Sequence, residues 1–206
     1  MELKTVLGVI QAISVAVASG VAVYGISSWR REAKWKRKYE LAEEVLTCFY
    51  DISDRFKVIR HPAGYKGEGE TRKRGERETQ EESEVLDYAY IIIERYEKEK
   101  APFIKLKSLK HRFMVLFGKE SVEPFDEINR LVNELFYASY RLGRRHWQDQ
   151  GYKKFSEEQL EKHLNEMHKY EAVFWAGYDE NDEFRQSVDK AVGNMESICS
   201  KILRKR

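Results

Sequence analysis

Cysteine is nearly missing from this chain: Cys48 and Cys199 are the only two, and neither belongs to a Cys-x-x-Cys pair. That argues against a disulfide scaffold or a zinc ribbon and suits a reducing compartment. Proline is confined to Pro62, Pro102 and Pro124, and glycine is modest and clustered. Long stretches free of both breakers favour helices. No run alternates with the period of two that a half-buried strand needs. Catalytic signatures are missing as well: there is no HExxH, no phosphate-binding glycine loop and no GxSxG elbow. Charge of one sign is not in excess, since a formal net charge of +2 does not suggest a general nucleic-acid binder.

Charge is missing altogether between Lys4 and Arg30. A helix of about 25 residues rises about 37 Å, enough to cross a hydrocarbon core of about 30 Å with some tilt. Its valines, isoleucines and leucines favour insertion, less what Gln11 and the serines cost. Ala16-Val17-Ala18 resembles a signal-peptide cleavage motif, but the apolar run continues well past it. The basic cluster also lies behind the run rather than before it: Arg30, Arg31, Lys34, Lys36, Arg37 and Lys38. Signal peptides carry their charge in front. The sequence therefore predicts a retained anchor over residues 1–30. Its amino terminus faces out and residues 31–206 lie on the cytoplasmic side of the inner membrane, because positive charge stays inside.

The faces of that helix differ. Val6, Ile10, Ile13, Val17, Val21, Tyr24 and Ile26 gather on one side at 100° per residue. Gln11 and Ser14 fall on a second side, a candidate pore lining. Gly8, Ala12, Ala16 and Gly20 recur every fourth residue on a third. Small residues at that spacing let helices approach closely in lipid, where packing must supply the attraction. An amide in the apolar zone wants a partner or water. The expectation is a homo-oligomer in contact with membrane lipid.

The roughly 170 residues behind the anchor suffice for one domain with a real core. Trp35, Ala42, Phe49 and Phe56 recur every seven residues, flanked by Val45, Ile52 and Ile59, and predict an amphipathic helix ended by Pro62. Residues 62–82 are polar and glycine-bearing, with mixed charge and hardly any apolar groups, which predicts a flexible loop. Further amphipathic helices are predicted from Glu81 to Lys98, Pro102 to Phe117, Pro124 to Asp149 and Ser156 to Phe174, with a last one after the turn Gly177–Asp182. Ser156 and Gln159 form a capping box. The fold class is all-α: a membrane helix followed by a bundle of about five to six helices.

Two basic groups are candidates for chemistry. In Arg141-Leu142-Gly143-Arg144-Arg145-His146 an Arg precedes a His by five residues. Arg141 and His146 lie 140° apart on an ideal helix and converge only if it loosens, which Gly143 permits. Lys100, Lys105, Lys107, Lys110, His111 and Arg112 form a second run. Lys110 and Arg112 are candidates to join Arg144 and Arg145 in a phosphate- or RNA-binding surface. His163 and His168 lack the Glu-x-x-His spacing of a di-metal helix site, so neither a metal nor a cofactor is expected.

The Arg-to-His spacing resembles that of the HEPN helical-bundle ribonucleases, where it implies that Arg141 stabilises phosphate charge while His146 serves as acid or base. The stretches Ile91–Tyr96, Phe113–Gly118 with Pro124-Phe125, and Phe174-Trp175-Ala176-Gly177 look like those of bacterial single-pass proteins with a helical cytoplasmic domain. More remotely, the layout of anchor then bundle resembles the HEPN-like membrane accessory proteins of RNA-targeting (type VI-B) CRISPR systems. That resemblance implies an oligomer whose membrane helices surround a pore during antiviral defence, with an RNA or protein partner of the defence system. Three functions are compatible with the sequence: a non-enzymatic, oligomerising membrane effector of defence or stress; a membrane-tethered ribonuclease; and a scaffold docking a cytoplasmic partner.

Overall fold

A computed structural model describes residues 2–149, 155–177 and 181–204, the side chains of 2–6, 9 and 145–149 excepted. Regular structure among the described residues is entirely helical. It comprises α1 (Glu2–Ile59), α2 (Gln80–Glu99), α3 (Ala101–Phe117), α4 (Glu123–Asp149), α5 (Glu157–Phe174) and α6 (Glu183–Leu203), with a 3-10 turn at Lys119–Val122 before α4. The all-α expectation holds. The apolar run and the first amphipathic helix are one uninterrupted helix, as the absence of any proline before Pro62 allows.

Burial begins at Leu41. From there Ala42, Val45, Phe49, Ile52, Phe56 and Ile59 turn one stripe of α1 into the core. Helix α3 runs back along α1, placing Cys48 against the Pro102 carbonyl and Lys38 over the Phe117 ring. Helix α6 flanks α1 on another side, with Phe184 edge-on to Phe56 and Tyr50 donating to Glu196. Helix α4 packs on α2, α5 and α6. Its Gly143 packs closely on α2, since a Cβ there would meet the Ala89 Cβ at 2.9 Å.

Helix ends follow local chemistry. Thr79 and Asp182 cap α2 and α6 through their side chains, and Ser156 with Gln159 closes the expected capping box at α5. Arg60, 3% exposed, joins three of these ends. It donates to the Ala172, Val173 and Trp175 carbonyls of the α5 terminus, at 2.8 Å each. It also grips Asp182 with two nitrogens, at 2.9 and 3.1 Å. Burial pushes the Asp182 carboxyl up, but Arg60 and the Arg185 and Gly177 amides outweigh it and hold the group below its ordinary value. Both charges are therefore compensated by several hydrogen bonds, the condition under which a buried pair is tolerated.

Residues 62–79 differ from the flexible loop that composition predicts, for they are laid along α2 and fastened there. Arg72 makes a two-nitrogen bridge to Glu78, at 2.8 and 2.6 Å, and reaches Asp87 at 3.0 Å. Arg74 donates to the other Asp87 oxygen at 2.6 Å. Glu68 is clamped by Arg95, which also caps the Ile59, His61 and Ala63 carbonyls. Gly69 has a φ of +85°, and a Cβ on it would fall 1.9 Å from the Asp87 carbonyl oxygen. Only glycine fits that approach. Specific ion pairs thus supply the ordering that apolar burial does not.

Candidate functional site

The amino-terminal half of α1 projects from the bundle with its apolar groups uncovered. Exposure there runs from 54% at Ile26 to 69% at Tyr24 and includes Ile10, Ile13, Val17 and Val21. Among the described residues, α1 is the one helix long and apolar enough to cross a membrane. Gly8, Ala12, Ala16 and Gly20 are all exposed, and nothing comes within 4 Å of a Cβ placed on Gly8 or Gly20. The small-residue stripe is therefore unobstructed by the chain itself. Ser14 and Ser27 return their hydroxyls to the Ile10 and Tyr24 carbonyls, at 2.8 Å each. Internal bonding of this kind removes the cost of a hydroxyl in an apolar setting. Gln11 is exposed on the same helix, with no such partner for its amide among the described residues.

Between the apolar half and the first buried residue lies a neck of about 16 Å, residues 30–40 at 1.5 Å each. It carries the whole basic cluster. Arg30, Arg31, Lys34, Lys36 and Arg37 are exposed there. Trp35 and Tyr39 pack on the same neck in a tilted pair with centroids 5.2 Å apart.

The structure does not bring the second basic run together with the first. Lys105 and Arg112 face Glu44 of α1, and Lys110 pairs with Asp126. Arg144 sits about 27 Å farther along α4 than Asp126 at the helical rise. The Arg145 side chain lies outside the described residues. One phosphate-binding surface built from Lys110, Arg112, Arg144 and Arg145 would need both ends of α4.

Arg141 is committed to the fold. Its Nη2 donates to Glu166 of α5 at 2.7 Å. The guanidinium lies near the Tyr137 and Tyr170 rings, at 5.8 and 5.3 Å. Its Nε is buried without a hydrogen-bond partner. Helix α4 passes through Gly143 without loosening; that glycine serves close packing, and Leu142 beside it is buried. The loosening needed to bring residues 141 and 146 together is thus absent from the helix. The His146 side chain lies outside the described residues.

Neither cysteine is poised to react. Both are buried and free, and burial pushes the thiols up, to about 11 for Cys48 and about 12 for Cys199. A thiol held that high carries almost no thiolate at neutral pH. No cluster of three His, Cys, Asp or Glu side chains suited to a metal ion occurs among the described residues. The residues that sequence reasoning missed are Arg60 and Asp182, whose pairing across most of the chain leaves no periodic signal. Comparison with protein-family models, curated proteins and solved structures returns no match.

Proposed function

We propose that the protein is a membrane-anchored, self-associating helical protein of the inner membrane, with its bundle in the cytoplasm. The observation that carries this is the uncovered apolar half of α1, which continues without a break into the buried stripe of the bundle. In water such a surface is an association liability; in lipid it is at home. The exposed cations of the neck set the orientation and lie where anionic headgroups attract Lys and Arg at about 1 kcal/mol each. Helical continuity also means that a tilt or rotation of the span is carried into the bundle.

Self-association rests on the open small-residue stripe and on the Gln11 amide. Both are better satisfied against another helix than against acyl chains. A pore lined by the Gln11 and Ser14 side, and a role in antiviral or stress response, extend this reading through the resemblance to the CRISPR-associated membrane proteins. The ribonuclease reading has no comparable support, because Arg141 is held by Glu166. The test is mass in detergent together with cross-linking through Ala16→Cys. The expected result is a multimer with an Ala16→Cys disulfide. A monomeric mass with no cross-link overturns the self-association.

A further inference from the structure

Helix α2, the carboxyl half of α4 and the 72–75 segment enclose a groove of about 620 Å³. That volume lies within the range of small-molecule sites, roughly 300–1,000 Å³. Its floor is apolar, made by Leu86, Ala89 and Ile93 where Gly143 lets the two helices close together. Tyr90 and Tyr140 supply aromatic walls. Neither hydroxyl donates to, or accepts from, another group among the described residues.

The charges around the groove divide into two kinds. Arg72 and Arg74 are committed to Glu78 and Asp87 and hold the wall in place. Lys73 and Arg144 are exposed and have no carboxylate partner among the described residues. The Arg144 guanidinium lies 5.6 Å from the Tyr140 ring centre, so one rim joins a cation to an aromatic face. Glu82 lies on the same lining and offers an acceptor.

The geometry points to a nucleotide-binding site in this groove. A planar base lies on the apolar floor against Tyr90 and Tyr140, where stacking tolerates any base. Its phosphate is held by Lys73 and Arg144 through charge-assisted hydrogen bonds. Glu82 accepts from a ribose hydroxyl or an exocyclic amine. The pairing of one acidic group with two free cations favours a small phosphorylated ligand over a polyanion. This site does not depend on lipid insertion, so its failure leaves the proposed membrane function untouched.

The test is microcalorimetry on the full chain in detergent with AMP, GMP, CMP and UMP. Adenosine and inorganic phosphate serve as the two halves of the ligand. At least one nucleotide is expected to bind at about 1 mM or tighter, with each half at least roughly tenfold weaker. Lys73→Ala and Arg144→Ala, both at exposed positions, are each expected to weaken binding about tenfold with an unchanged thermal melt. Absence of binding by all four nucleotides overturns the site. So does binding that neither variant alters, or a chain that takes a single-stranded oligonucleotide and no mononucleotide.

Discussion

The two halves of α1 belong to one uninterrupted helix and meet opposite fates. Before the neck, valine, isoleucine and alanine surround the helix and stay uncovered; after it, most apolar groups fall on a stripe on which none from Leu41 to Ile59 exceeds 3% exposure, with Tyr50 and Val58 left outside it. The difference lies in overall hydrophobicity as well as in periodicity, since residues 5–29 carry no charge while Glu43, Glu44, Asp51, Asp54, Arg55 and Lys57 interrupt the apolar groups of the second half. A helix apolar all round suits a solvent that is itself apolar, whereas one apolar on a single face suits a protein core. Nothing interrupts the backbone between the two, so one rigid element serves both.

Breaking the second half alone should give the largest effect. Arg60→Ala strands Asp182 and three carbonyls, and is expected to destabilise the bundle by about 3–5 kcal/mol, read by denaturation in detergent. Membrane partitioning should be unchanged. Breaking the first half alone comes next. Val17→Arg places a cation on the exposed apolar face and should cost insertion about 2.5–3.5 kcal/mol, seen as chain lost from the membrane fraction. The melting transition of the bundle should hardly move. If either variant disturbs both halves equally, the separation of the two regions fails.

A smaller effect is expected on acidification. Arg72, helped by the Gly75 amide and against burial, holds Glu78 down to about 2. Because the folded value lies below the ordinary one, the contribution is complete above about pH 4.5 and is lost as pH falls through about 2. Amide exchange in residues 70–79 should therefore rise in that window, with exchange in α1 from Leu41 to Ile59 following only at lower pH or with global unfolding.

The helices were legible because their punctuation is local. Pro62, Pro102, Pro124, Gly118 and the Ser156 capping box set boundaries that the structure places within a few residues of the expected ones. The stripe at Ala42, Phe49 and Phe56 announced the core face of α1, although Trp35, first in that series, is 45% exposed on the neck. Residues 62–82 read as a flexible loop because composition counts charges without pairing them. Arg72 with Glu78 and Asp87, and Arg95 with Glu68, are invisible until the chain is folded. The Arg141 cluster shows the same gap from the other side: a short motif carries no record of Glu166 on a different helix. Of the groove only Arg144 stood out in the sequence, since Lys73 and Tyr90 come from two other elements and join it only in the fold.

Lipid is expected to cover α1 before the neck and water to cover it afterwards. Membrane-impermeant maleimide labelling of Ala18→Cys and Lys36→Cys variants in sealed inverted vesicles tests it directly, since Cys48 and Cys199 are buried and stay silent. Rapid labelling is expected at position 36 and none at position 18 until the bilayer is dissolved. Equal labelling of the two positions in intact vesicles would contradict it.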